Sequence, residues 1–213
     1  MKLKYINGLE LDYTQAMMAG LLFTPIVKTA TVMGLGAGSM AKNLLSSFSD
    51  LTVHAIEYRE AVVIIAKKHF HLPDTERLFI HIDDAANYVK CTDKKSDIIF
   101  SDLYTSKGME PKQVQSSYLR DCKNALNEHG VLVLNIWNTK LDSQEELNEL
   151  LTIEFENRVL SFEVDSGNTI VLAFKNDIPS IERTELLAKG KWLQEKTNAP
   201  MERYAELLTD LCC

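Results

Sequence analysis

The stretch TVMGLGAGS at positions 31–39 joins a short apolar segment to a glycine-rich turn, and it decides how the chain folds. Its apolar half predicts a buried strand, and the residues after the turn predict a helix. Glycines at such a junction, here Gly34, Gly36 and Gly38, let the backbone turn tightly and bring its N–H groups against a ligand at the helix N-terminus. The spacing is Gly-x-Gly-x-Gly rather than the Gly-x-Gly-x-x-Gly of dinucleotide sites, so the turn alone could equally serve close packing.

Strands and helices alternate from this turn through most of the chain. Strands are predicted at Thr31–Leu35, Thr52–Glu57, Leu78–Ile82, Ile98–Ser101 and Val131–Trp137. Helices are predicted at Met40–Phe48, Glu60–Phe70, Asp84–Lys90, Lys112–Leu126 and Ser143–Leu151. Two further strands, Arg158–Val164 and Thr169–Lys175, predict an antiparallel hairpin. The order predicts a doubly wound, mostly parallel α/β sheet of seven strands, of the class I methyltransferase-like Rossmann type, with a reversed final strand at one edge.

The two ends of the chain carry different patterns. Asn7-Gly8 separates Lys2–Ile6 from Leu9–Asp12, which predicts a short N-terminal β-hairpin, and a helix is predicted over Thr14–Leu22. Ile181–Cys213 predicts two amphipathic helices. We therefore expect an N-terminal hairpin and helix at 1–24, a Rossmann-like domain that holds the ligand at 25–178, and a C-terminal helical extension at 179–213.

Composition excludes several classes of protein. The chain has 213 residues, is 46% hydrophobic and 25% charged, and carries a net charge of −7, which argues against nucleic-acid or anionic-membrane partners. Its apolar runs are too short to span a bilayer, and its first residues lack the apolar segment of a signal peptide. The four cysteines have neither metal nor disulfide spacing, so a reduced, cytoplasmic location is expected.

The outer elements also bear on assembly. The first hairpin and the C-terminal helices offer apolar stripes outside the predicted sheet, which suggests a homodimer with contacts at Leu186-Leu187 and Leu207-Leu208. The alternative is that these helices pack back on their own sheet.

Acidic residues follow three of the predicted strands. In a doubly wound sheet the ligand lies beyond the carboxyl ends of the strands, where the strand order reverses. Glu57 lies 19 residues beyond Gly38, where a carboxylate can bind both ribose hydroxyls or simply cap the next helix. In Asp83-Asp84 one carboxylate can cap a helix while one accepts the adenine amine. Asp102 can act as a general base, orient an acceptor, or bind nearby backbone N–H groups as an ordinary loop residue.

Together these residues resemble the spermidine synthases and their spermidine-synthase-like relatives. The resemblance runs from Tyr13 to about Lys175, through Tyr13-Thr14-Gln15-Ala16-Met17, Gly34–Ser39, Ala55-Ile56-Glu57, Asp84-Ala85, Ser101-Asp102, Gly130–Trp137 and Ser166-Gly167. It implies a site for S-adenosylmethionine or its decarboxylated form, built from Gln15, Gly34, Gly36, Gly38, Glu57, Asp84 and Ala85. It further implies Asp102 as the catalytic base and Tyr13 and Tyr104 as substrate-binding residues, with no metal.

The polyamine side departs from the family pattern. Ala37 replaces the acid that holds the aminopropyl ammonium, and Thr105 replaces a second acid. Thr14 stands where the family has a substrate-binding tyrosine, with Tyr13 adjacent, and Val164 replaces another tyrosine. Because buried ammonium groups need carboxylates or aromatic faces, these losses should weaken polyamine binding by several kcal/mol, at about 1–3 kcal/mol for each charged hydrogen bond.

Three functions are therefore open. The first is a transferase that uses S-adenosylmethionine, with methyl transfer favoured, on an unidentified small acceptor. The second is an aminopropyltransferase that uses the decarboxylated donor and a polyamine, with Asp102 deprotonating the attacking amine. The third is a catalytically silent nucleoside-binding protein. Ala37 favours the first, because an Asp there would repel the carboxylate of S-adenosylmethionine and alanine does not.

Overall fold

A computed structural model describes residues 6–105, 108–137 and 144–212. The strands are β1 (Thr29–Met33), β2 (Thr52–Glu57), β3 (Leu78–Ile82), β4 (Ser96–Ser101), β5 (Tyr104–Thr105), β6 (Gly108–Met109), β7 (Leu126–Trp137), β8 (Val159–Glu163) and β9 (Asn168–Phe174). The helices are α1 (Asp12–Met17), α2 (Ser39–Ser47), α3 (Glu60–His69), α4 (Ala85–Cys91), α5 (Ser116–Ala125), α6 (Gln144–Phe155), α7 (Arg183–Thr197) and α8 (Met201–Cys212). Short 3₁₀ helices occupy Met18–Phe23 and Pro111–Val114.

Seven of the strands form one sheet in the order β3-β2-β1-β4-β7-β9-β8. The first five in this order are parallel. The order reverses between β1 and β4, because β2 and β3 lie on one side of β1 and the later strands of this sheet, β4, β7, β9 and β8, lie on the other. The carboxyl ends of β1 and β4 therefore flank the switch point where such sheets bind ligands. The predicted doubly wound, methyltransferase-like sheet is confirmed.

The reversed strand lies inside the sheet, so its predicted place at an edge is wrong. β9 pairs antiparallel with β7 on one side and with β8 on the other. All seven residues of β9 are buried, whereas Ser161 and Glu163 of β8 are exposed. A strand with exposed polar residues, such as β8, can lie at the edge of a sheet. An apolar strand such as β9 is more stable with a neighbouring strand on each side.

Helices cover both faces of the sheet. On one face α1, α2, α3, α7 and α8 share a core that includes Leu44 and Leu193. On the other face α4, α5 and α6 pack around Leu119 and Leu151. The three segments predicted at 1–24, 25–178 and 179–213 thus contribute to a shared core. The boundaries between them remain a prediction. Among the described helices, none has both the length and the apolar character of a membrane span.

The predicted second strand of the N-terminal hairpin is wrong. Leu9–Leu11 forms no strand, and Asp12 begins α1. Residues 1–5 of its first strand lie outside the described residues. The segment is held instead by Gln15, whose Nε2 donates to the Leu9 carbonyl at 2.6 Å, and by Asp12, whose Oδ2 accepts from the Ser166 N–H at 3.0 Å. Two strands without a third are at best marginally stable, so these tertiary hydrogen bonds decide the conformation.

Two of the expected dimer contacts are also wrong. Leu186 and Leu208 are buried in the chain's own core, where α7 and α8 pack on the same face as α2. Their side chains cannot contact a second copy. Leu207 is exposed on α8, and a homodimer remains a prediction.

The predicted helix over Lys112–Leu126 is divided. Gln115 has an extended backbone (φ −95°, ψ 140°) and separates a 3₁₀ helix that begins at Pro111 from α5. Leu126 already belongs to β7. Ser143, the predicted cap of the next helix, lies outside the described residues.

Candidate active site

The loop between β1 and α2 depends on glycine. Gly34, Gly36 and Gly38 have φ values of 91°, 52° and 74°, in the left-handed region that glycine adopts without steric cost. A Cβ added at Gly34 would lie 2.4 Å from the carbonyl oxygen of Asp102. The loop and the end of β4 can therefore approach each other only while residue 34 is glycine. A Cβ added at Gly36 would meet nothing within 4 Å, so the backbone there faces open space.

Glu57 ends β2 as a buried carboxylate held by backbone donors. Its Oε2 accepts from the Gly36 N–H at 3.3 Å, and its Oε1 accepts from the Arg59 N–H at 3.0 Å. The Arg59 Nε lies 3.9 Å from the same Oε1. These contacts fix the carboxylate beside the glycine-rich loop, in the place where the sequence predicts a ribose-binding group.

Asp84 caps α4. Its Oδ1 accepts from the N–H groups of Ala86 at 2.9 Å and Asn87 at 3.3 Å. Its Oδ2 forms an ion pair with Lys112 Nζ at 2.8 Å, and this hydrogen bond lowers the pKa of Asp84. The predicted helix cap is confirmed, and a ligand amine at Asp84 would share the carboxylate with Lys112.

Asp102 follows β4, and its negative charge acts on two tyrosines, Tyr13 and Tyr104. Burial raises the pKa of Asp102 to about 6, although a hydrogen bond from Asn135 opposes this rise. Burial, and then the negative charge of Asp102, raises the pKa of Tyr13 to about 12 and also raises the pKa of Tyr104. At neutral pH the site therefore combines an ionised carboxylate of increased basicity with two protonated phenols.

A network of amides behind Asp102 was missed by the sequence analysis. Asn135 Nδ2 donates to Asp102 Oδ1 at 2.8 Å, and Asn168 Nδ2 donates to Asn135 Oδ1 at 2.8 Å. Gln113 Nε2 donates to the carbonyl oxygen of Asn135 at 2.8 Å. The one available signal was Asn135 itself, a single polar residue in the apolar run VLVLNIW at 131–137.

A cavity of about 750 Å³ unites most of the predicted residues. Its lining includes Tyr13, Gly34, Gly36, Glu57, Asp84, Ala85, Asp102 and Tyr104. Gln15 and Gly38 are not among the residues that line it. Gln15 binds the Leu9 carbonyl, and Gly38 caps α2 with its Cβ position 2.5 Å from Leu72 Cδ1. Their ligand-binding roles remain predictions.

The cavity has an acidic lining. Six carboxylates and two cationic groups line it. The carboxylates belong to Glu10, Glu57, Asp83, Asp84, Asp102 and Glu110, and the cationic groups belong to Arg59 and Lys112. Within the described part of the chain, the cavity therefore favours a cationic ligand over an anionic one.

Comparison with solved structures identifies the class of protein. Human methyltransferase-like protein 13 in complex with SAH is similar with a TM-score of 0.79 at 22% identity, covering 89% of this chain and 94% of that one. A probable spermidine synthase from Corynebacterium glutamicum is similar with a TM-score of 0.74 at 18% identity, covering 96% and 81%. With the observed strand order, these similarities define a class I methyltransferase-like fold.

Comparison of sequences identifies the family. Residues 12–164 match the family model of the spermine/spermidine synthase domain. A Neisseria meningitidis serogroup A protein named polyamine aminopropyltransferase is 33% identical over 192 residues, covering 89% of this chain and 72% of that protein. The chain belongs to the spermine/spermidine synthase family. The predicted enzyme class, a transferase, is confirmed.

Proposed function

We propose that the protein transfers the aminopropyl group of decarboxylated S-adenosylmethionine to an amine of a polyamine-like acceptor. The name of the Neisseria relative supports this function over the methyl transfer that the sequence analysis favoured. The observation that carries the proposal is Asp102, a carboxylate of raised pKa that shares one cavity with the glycine-rich loop and Glu57.

The loop and Glu57 suit the nucleoside of the donor. The open space at Gly36 leaves room for a ligand against the backbone, and the Glu57 oxygens retain lone pairs for ribose hydroxyls. The cavity volume of about 750 Å³ lies within the range of about 300–1,000 Å³ usual for small-molecule sites.

The remaining lining suits a cationic acceptor. Six carboxylates against two cations favour ammonium groups. Tyr13 and Tyr104 add aromatic faces, on which ammonium groups also pack. These side chains offer alternative contacts where the family's acids are replaced by Ala37 and Thr105.

Asp102 would act as the general base. An alkylamine is protonated at neutral pH, so its nitrogen lone pair becomes available only when a base takes a proton. Asp102 is ionised at pH 7 and, with a pKa of about 6, is a stronger base than an ordinary carboxylate. The donor supplies a carbon activated by its neighbouring sulfonium. The amine nitrogen forms the new N–C bond, the S–C electron pair goes to sulfur, and Asp102 holds the released proton.

Product analysis tests this function. Decarboxylated S-adenosylmethionine and putrescine should yield methylthioadenosine and spermidine in equal amounts by mass spectrometry. Asp102→Asn should lower kcat by about 10²–10⁴-fold while donor affinity is retained. Asp74→Asn, which changes an exposed carboxylate outside the cavity lining, is the matched control. Tight donor binding without either product would reject the proposal and support a silent nucleoside-binding protein.

Methyl transfer from S-adenosylmethionine is the second candidate, and Ala37 favours it. Ala37 lines the cavity where the family resemblance gives an acid, so no charge at this position repels the donor carboxylate. Competition binding should show that Ala37→Asp shifts preference toward the decarboxylated donor by about 1–2 kcal/mol. Methylation of an acceptor with release of S-adenosylhomocysteine, and no reaction of the decarboxylated donor, would establish this candidate instead.

A further inference from the structure

Three neighbouring strands bring three polar side chains together behind the cavity. Asp102 follows β4, Asn135 lies in β7, and Asn168 begins β9. β7 pairs with β4 on one side and with β9 on the other. Because β9 runs antiparallel, its first residue, Asn168, lies opposite Trp137 at the carboxyl end of β7. The reversal of one strand thus places the Asn168 amide of β9 beside Asn135 of β7, which in turn contacts Asp102 after β4.

Each side chain in this cluster donates a hydrogen bond to the next one toward Asp102. Ser166 Oγ donates to Asn168 Oδ1 at 2.8 Å, Asn168 Nδ2 donates to Asn135 Oδ1 at 2.8 Å, and Asn135 Nδ2 donates to Asp102 Oδ1 at 2.8 Å. Rotating the Asn135 amide by 180° would set oxygen against the carboxylate and nitrogen against the Asn168 donor. Both contacts would be repulsive, so Asn168 and the Asp102 carboxylate select the same orientation of the Asn135 amide.

Asn135 is fully buried, at 0% exposure, within an otherwise apolar run of β7. A buried amide costs free energy unless its groups are hydrogen-bonded, and an apolar residue would satisfy the strand equally well. Gln113 holds the backbone of the cluster as well, because its Nε2 donates to the Asn135 carbonyl and its Oε1 accepts from the Leu103 N–H at 3.0 Å. The side-chain amide of Asn135 is therefore held by Asn168 and Asp102, and its backbone is held by Gln113.

We propose that Asn135 and Asn168 are positioning residues that hold the Asp102 carboxylate through Oδ1 and reserve Oδ2 for the acceptor proton. This inference rests on the proposed role of Asp102 as the base. In the described part of the chain, hydrogen bonds to the Asp102 side chain come from Asn135 alone, so Oδ2 has no competing donor. A fixed N–H donor also favours the ionised carboxylate and limits how far burial raises its pKa.

Carboxyl ¹³C NMR titration tests the proposal without requiring turnover. The resonance of Asp102 is assigned through its loss in Asp102→Asn. In Asn135→Leu, which keeps the branching and the number of heavy atoms of the side chain but removes the donor, the Asp102 pKa should rise, with its acid dissociation constant about tenfold smaller. Asn168→Leu, which releases the Asn135 amide, should shift the constant in the same direction by less.

The matched control is Asn127→Leu. Asn127 lies on the same strand and donates to Asp97 Oδ1 at 2.6 Å, an Asn–Asp pair outside the lining of the main cavity. Its loss should leave the titration of Asp102 unchanged. Thermal melts of all three variants establish that each is folded.

Kinetics completes the test. Asn135→Leu should lower kcat on the order of 10–100-fold, leave KM for the donor unchanged, and move the acid limb of kcat/KM to higher pH. An unshifted Asp102 titration in folded Asn135→Leu would overturn the positioning role. A shifted titration in a protein that turns over no donor would instead overturn the proposed function and retain the hydrogen-bonded arrangement.

Discussion

Replacing Gly34 by alanine should destabilise the fold more than the same replacement at Gly36. Both residues have positive φ, 91° and 52°, so both substitutions impose left-handed backbone strain on a side chain. They differ in their surroundings. At Gly34 the new Cβ would lie 2.4 Å from the Asp102 carbonyl oxygen, whereas at Gly36 it would meet nothing within 4 Å.

The magnitudes follow from these two contributions. Left-handed strain costs about 1–2 kcal/mol for a residue with a Cβ, and it applies to both variants. Overpacking adds about 1–3 kcal/mol, and it applies only to Gly34→Ala. The neighbour at Gly34 is the backbone of Asp102, directly after β4, and it cannot rotate away because the Asp102 N–H donates to the Met33 carbonyl of β1 at 3.0 Å. In a domain of about this size 1 kcal/mol changes Tm by about 2–4 °C, so Gly34→Ala should melt about 2–12 °C below Gly36→Ala.

Thermal unfolding followed by circular dichroism measures the difference directly, with urea unfolding as a second probe. Gly36→Ala serves as the control for strain without collision. If the two variants melt within 1 °C of each other, the close approach of the glycine-rich loop to β4 is not what requires glycine at position 34, and the reasoning fails.

Three further predictions concern charge. Glu57→Ala should weaken the binding of S-adenosylhomocysteine, measured by calorimetry, by about 1–3 kcal/mol. Glu60→Ala, which removes an exposed carboxylate outside the cavity lining, should leave this affinity unchanged. If both variants bind with the same affinity, the ribose role of Glu57 is refuted. The pH profile of kcat/KM should rise through about 6 as Asp102 loses its proton, and a profile flat between pH 5 and 8 would exclude it as the base. His54 Nδ1 and His81 Nε2 lie 3.2 Å apart. Burial lowers the pKa of both histidines; the charges of His81 and then Lys94 lower that of His54 further, whereas Asp83 opposes the effect at His81. The unfolded chain therefore takes up their protons first, so the free energy of unfolding should decrease as pH falls from about 6.5 through the folded pKa values, and His81→Gln should flatten this dependence in urea titrations.

Local patterns predicted each of the seven strands of the main sheet. β2 and β3 have their predicted bounds, and the glycine turn and Asp84 cap lie where the spacing put them. The errors occur where tertiary contacts decide. Asn7-Gly8 favours a hairpin locally, but the hydrogen bonds of Asp12 to Ser166 and of Gln15 to Leu9 hold a helix start instead.

Local sequence patterns could not predict the side-chain cluster behind Asp102, for a related reason. Asn135 and Asn168 are 33 residues apart, and their contact depends on the register of β7 with β9. That register requires the reversed strand to lie inside the sheet, which the sequence analysis placed at the edge. A wrong strand order therefore hides a site even when every strand of the main sheet is predicted.

The parts of the cavity that we propose for donor and acceptor differ in how they are built, and this bears on how function can diverge within the family. The proposed donor half depends on backbone geometry, through the positive φ of Gly34 and Gly36 and the N–H groups that hold Glu57. A substitution in that backbone strains the loop or strikes β4, so it costs stability as well as binding. The proposed acceptor half is lined by side chains outside the main sheet, among them Tyr13 and Tyr104. Their replacement changes charge and shape while the main sheet remains intact. Ala37 and Thr105 stand where the family resemblance gives acids, and although Ala37 lies in the glycine-rich loop, both differences alter side-chain charge without a change of fold. We therefore expect this protein to differ from its relatives in acceptor and donor preference before it differs in nucleoside recognition.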